Sequence, residues 1–110
     1  MRRWLLLAIL AGGCGTVTFE NQLPGATVEN ARIQTDDGDV LWLTTAPVLP
    51  GGARRVTPGA DVEGETGRLV FELVVRGRRA ELETTEAFRL DDGAHVVLAP
   101  DTPVRARLRD

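Results

Sequence analysis

Few side chains in this 110-residue chain are able to do chemistry. Lys, Ser and Tyr are absent, all 13 basic residues are Arg, and Cys14 and His95 are the single Cys and His. A Ser nucleophile, a Ser–Lys pair, a Schiff-base Lys and a phosphate-loop Lys are thereby excluded. One Cys allows no internal disulfide, and the roughly four His or Cys ligands of a structural zinc site cannot be assembled. His95 is the one imidazole available as a general base, with Asp91 and Asp92 just before it as orienting carboxylates, but nothing near it supplies a nucleophile. Glu72, Glu81, Glu83 and Glu86 offer a glycosidase-type carboxylate pair, yet the aromatic platforms that accompany such sites are scarce. The expectation is a protein that is not an enzyme, with no catalytic residue and no cofactor.

Three charged clusters remain as binding candidates. Asp36, Asp37 and Asp39 lack the order of a calcium-binding loop, because Gly38 interrupts them and no Glu closes a loop of that length; a turn accounts for them. Asp61, Glu63 and Glu65 alternate through a Gly-containing segment and would present carboxylates to Ca²⁺ or to a cationic partner. They carry the alternative reading, a secreted or periplasmic ligand- or Ca²⁺-binding β-sandwich module, against which stands a solvated acidic loop with no metal. Arg105, Arg107 and Arg109 form a stripe on one face of the last strand. Guanidinium groups suit oxyanion contacts, so this stripe is the candidate interaction surface; pairing with a row such as Glu81 and Glu83 would equally occupy it. The net charge of −3 and sequence pI near 5.1 oppose nucleic-acid binding.

The N-terminus reads Met1-Arg2-Arg3, then an apolar run from Trp4 to Ala11, then Gly12-Gly13-Cys14. A basic start, a short apolar stretch and small residues are the parts of a secretory signal, and the run is shorter than the roughly 20 residues a membrane span needs. The segment resembles a bacterial lipoprotein signal peptide, with Leu10-Ala11-Gly12-Gly13-Cys14 at the place of the lipobox. Ala11 stands where that family most often has Leu. The resemblance covers about the first fourteen residues and implies cleavage before Cys14 and lipid on its sulfur. Gly15 after the Cys, rather than Asp, implies the outer membrane, facing the periplasm. An ordinary signal cleaved after Gly13, with Cys14 left as a free thiol, satisfies the same small-x-small rule.

Domain organisation follows as a signal peptide over residues 1–13 and a single β domain over 14–110. Its apolar stretches are short and alternate with period two, and Gly, Pro and Asp clusters separate them. Val17 and Phe19 share a face. Ala31 and Ile33 share another, and Val28 is out of phase with them, which calls for a bulge near Asn30. Val40-Leu41-Trp42-Leu43 reads as a strand covered on both faces with Trp42 buried. Residues 46–67 are irregular, with a short strand around Ala53 to Thr57 at a sheet edge. Leu69, Phe71, Leu73 and Val75 face inward, a turn follows at Arg76-Gly77 or Gly77-Arg78, and Ala80, Leu82 and Thr84 return. His95 to Ala99 and Val104 to Leu108 finish the chain. About seven or eight strands at this spacing predict an all-β fold, a small antiparallel β-sandwich of Ig-like or transthyretin-like type. The functional expectation is a small membrane-tethered envelope lipoprotein, held by lipid on Cys14, that acts as a structural or protein-interaction module for another envelope protein.

Overall fold

A computed structural model describes residues 16–60, 62–91 and 93–107, so the signal segment and Cys14 lie outside the described residues. Nine strands run through the rest: β1 Val17–Asn21, β2 Thr27–Thr35, β3 Val40–Thr44, β4 Ala53–Val56, β5 Thr66–Val75, β6 Arg78–Thr84, β7 Phe88–Arg89, β8 His95–Leu98 and β9 Val104–Ala106. They form two sheets. The smaller has the order β4-β1-β8, and the larger has the order β3-β2-β5-β6-β9 with β7 paired to the start of β5. No helix occurs among the described residues. The expected β-sandwich is present.

Its core follows from the alternation. Val17 and Phe19 of β1 and Val96 and Leu98 of β8 project from the small sheet, and Val28, Ala31, Ile33, Leu69 and Phe71 meet them from the large one. Each of these is 1% exposed or less. Val28 and Ala31 are three residues apart, which a regular strand would place on opposite faces. A register shift between Glu29 and Arg32, with Asn30 at φ 52°, restores both to the inner face. The bulge that the phase break calls for therefore sits where it was expected.

Antiparallel pairing is general except between β1 and β8, which run parallel. Parallel neighbours need a long crossover, and here the chain from β2 to β7 supplies it. The hairpin from β5 to β6 closes through Arg76 (φ 52°) and Gly77 (φ 78°), with Val75 opposite Arg78. Two successive left-handed residues are the turn that matches strand twist, and Arg is a poor occupant of the first. Arg76→Asn is expected to raise stability by about 0.5–1 kcal/mol in urea denaturation; no gain would mean that the turn is not held in this form. Near the tip of the hairpin Val75 and Ala80 are exposed despite their inward phase.

Trp42 departs from expectation. It is 49% exposed and Val40 is 44% exposed, whereas Leu43 is buried. β3 is an edge strand of the larger sheet, and among the described residues no second layer covers its outer face. A continuous apolar run therefore marks a strand buried on one face only.

Candidate functional site

The outer face of the six-stranded sheet collects most of the charged side chains of the strands. Cross-strand registers place Trp42 opposite Arg32, Arg32 opposite Val70, Val70 opposite Glu83, and Glu83 opposite Arg105. A second row runs through Glu29, Glu72 and Glu81. Gln34 stands opposite both Val40 and Arg68.

These groups neutralise one another in a lattice. Arg32 reaches over β5 to Glu81 at 2.6 Å, with both side chains mostly buried, and its guanidinium also lies 5.5 Å from the centre of the Trp42 ring. Because β2 and β6 are two strand spacings apart, about 10 Å, the Arg32 side chain lies across β5 and helps explain why Val70 on this face is 1% exposed. Arg79 bridges Glu29 and Glu72, each at 2.6 Å. The hydrogen bonds that its guanidinium donates to Glu29 and then to Glu72 raise the Arg79 pKa further above its ordinary value, so this cation keeps its charge. Arg105 pairs with Glu83 at 2.9 Å, the cross-strand pairing that the outer rows allow.

Arg107 behaves differently. Its backbone N–H donates to the Glu81 carbonyl, while its guanidinium donates to Gln34 Oε1 at 2.8 Å. Gln34 is on β2 and Arg107 follows β9, three strand spacings away, so this bond spans β5 and β6. Beneath and beside it opens a groove of about 610 Å³, lined by Gln34, Arg68, Val70, Arg105 and Arg107 among others. Arg68 donates only a long bond, Nε to the Thr85 carbonyl at 3.5 Å. Arg109 lies outside the described residues, and Arg68, which sequence reasoning missed, completes the cluster. Its signal was its phase: it precedes Leu69 and falls in the outer row of β5.

The other candidates are dispersed. His95 Nε2 meets Glu20 Oε1 on the neighbouring strand at 3.2 Å, not Asp91, which accepts from Arg89 at 2.9 Å. Asp92 lies outside the described residues. The 35–39 turn is closed by Thr35, whose hydroxyl accepts from the Asp39 N–H at 2.9 Å and whose carbonyl accepts from the Gly38 N–H at 3.0 Å. Glu63 is exposed, Glu65 has one buried carboxylate oxygen without a hydrogen-bond partner, and Asp61 lies outside the described residues. Among the described residues no three His, Cys, Asp or Glu side chains are grouped so as to hold a metal ion. Glu72, Glu81 and Glu83 are each tied to an arginine of the lattice.

Comparison with protein-family models, with curated proteins and with solved structures finds no match to this chain.

Proposed function

We propose that this chain is a small envelope lipoprotein, tethered by lipid on Cys14, whose sandwich is a non-enzymatic contact module for another envelope protein. The observation that carries the reading is Trp42, half-exposed on the outer face of an edge strand. Val40 stands beside it on the same face, and Arg32 lies against the ring. Trp and Arg are the residues that most often anchor protein interfaces. The tether rests on the resemblance of Leu10 to Cys14 to a lipobox, and two or more acyl chains would hold such a domain firmly at a membrane.

The test uses the full chain with a C-terminal tag, extracted in mild detergent from membranes of a Gram-negative host and read by native mass spectrometry. A chain beginning at Cys14 with acyl mass, accompanied by a second protein, is expected. Cys14→Ser should abolish the acyl mass. Trp42→Ala should weaken the partner's affinity by about tenfold or more, while its melting changes little because the side chain is half in water. A bare chain running alone in the soluble fraction would overturn the reading.

A further inference from the structure

The arginines on the outer face of the large sheet divide by partner. Arg32, Arg79 and Arg105 are neutralised by carboxylates. Arg68 and Arg107 are not: among the described residues the first reaches only a backbone carbonyl, and the second only the neutral amide of Gln34. Both line the same groove, where Gln34 is the cross-strand neighbour of one and the hydrogen-bond partner of the other. Asp36 lies at its margin and Glu83 is engaged by Arg105, so the groove keeps a positive surplus on a protein whose overall charge is −3.

We propose that this groove binds a phosphate ester, its phosphate clamped between Arg68 and Arg107, with Gln34 releasing Arg107 as the anion enters. A carboxylate is satisfied by a single guanidinium fork, whereas a phosphate has further oxygens for a second one arriving from another strand. Exchanging the Gln34 amide for a phosphate oxygen replaces a neutral acceptor with a charged one, and charge-assisted hydrogen bonds are roughly twice as strong. The groove, at about 610 Å³, is much larger than a phosphate group and has room for the alcohol esterified to it. Val70 lines the groove but is 1% exposed, so the surface the groove offers a ligand is mainly that of its polar side chains. A glycerol phosphate, free or as a lipid headgroup, has this chemistry. Such binding rests on this face being the contact surface, yet it is read at Arg68 and Arg107 of the chain alone, whether or not Cys14 carries lipid or a protein partner exists, so the two readings fail separately.

The experiment follows the arginine Nε–H resonances of the full chain in nonionic detergent as glycerol phosphate is added, against chloride at matched ionic strength. Saturable shifts at Arg68 and Arg107 are expected with glycerol phosphate and not with chloride. Arg68→Gln and Arg107→Gln should each weaken the affinity about tenfold or more, while Arg79→Gln stays within about twofold because Glu29 and Glu72 already hold that side chain. If either glutamine variant folds poorly, the other variant and the native resonances still decide. Dihexanoyl phosphatidylglycerol distinguishes the source: tighter binding than glycerol phosphate assigns a lipid headgroup, and equal binding a soluble ester. Either result supports the site. Shifts that chloride reproduces, or an equal loss in Arg79→Gln, would overturn it.

Discussion

Asn21→Ala is expected to destabilise the domain by about 3–4 kcal/mol, lowering its melting temperature by about 15 °C or more. Asn21 ends β1 with no exposed surface. Its Nδ2 donates to the Ala26 carbonyl at 3.0 Å and to the Val48 carbonyl at 2.9 Å, and its Oδ1 accepts from the Leu23 N–H at 3.0 Å. One side chain therefore ties the end of β1 to the loop before β2 and to the segment between β3 and β4. The Val48 carbonyl keeps a bond from the Val28 N–H, but the part-buried Leu23 N–H and the carbonyl of buried Ala26 lose this partner. A buried unpaired polar group costs about 1–3 kcal/mol, and the cavity adds to it. The same reasoning gives Asn21→Asp a pH signature. An aspartate would face two carbonyl oxygens where the amide donates, so its charged form is disfavoured and its folded pKa is raised above the ordinary value near 3.9. The folded variant would then hold a proton that the unfolded chain has released. Its stability relative to the parent should be best in acid and fall as the pH rises above about 4. Melting curves of both proteins at pH 4 and pH 7 check this, and a pH-independent difference would mean that the amide does not sit between those carbonyls.

Asn21 also shows where the sequence stops being legible. An Asn after an alternating run and before Pro24-Gly25 has the look of a turn residue, and nothing local reveals that the 46–52 segment returns to it. What periodicity reports is which face a side chain occupies. The phase break between Val28 and Ala31 therefore announced the bulge at Asn30, and Gly77 announced a turn, leaving open whether Arg76 or Arg78 shares it. Periodicity does not report which strands are neighbours. Arg105 and Glu83 were legible as members of facing outer rows, but Gln34 and Arg107 meet across β5 and β6, and only the strand order β2-β5-β6-β9 brings them together. The parallel pairing of β1 with β8 was hidden for the same reason. Trp42 was misread because four apolar residues in succession look alike in a central strand and in an edge strand, and the difference lies in whether a second layer covers it.

Gly67→Ala is expected to cost about 3 kcal/mol, through close approach of backbones and not through turn geometry. Gly67 lies in β5 between Thr35 of β2 and Phe88 of β7. A Cβ there would fall 2.5 Å from the Gln34 carbonyl oxygen and 2.7 Å from Ile33 Cγ2. Neither obstacle yields easily: the first is backbone of a paired strand, and the second belongs to a core side chain with no exposed surface. β2 must move away from β5 at this point, and the movement falls on Gln34, whose amide holds Arg107 over the groove. The substitution should therefore lower stability and also shift the Arg107 Nε–H resonance in whatever fraction stays folded. Gly38→Ala is the contrast, since its Cβ would meet nothing within 4 Å although its φ is 95°. It carries only the backbone penalty of a left-handed residue, about 1–2 kcal/mol, and leaves Arg107 where it is. Urea denaturation ranks the two variants. A Gly67→Ala protein as stable as the parent, with Arg107 unmoved, would show that β2 and β5 are not packed this closely beneath the groove.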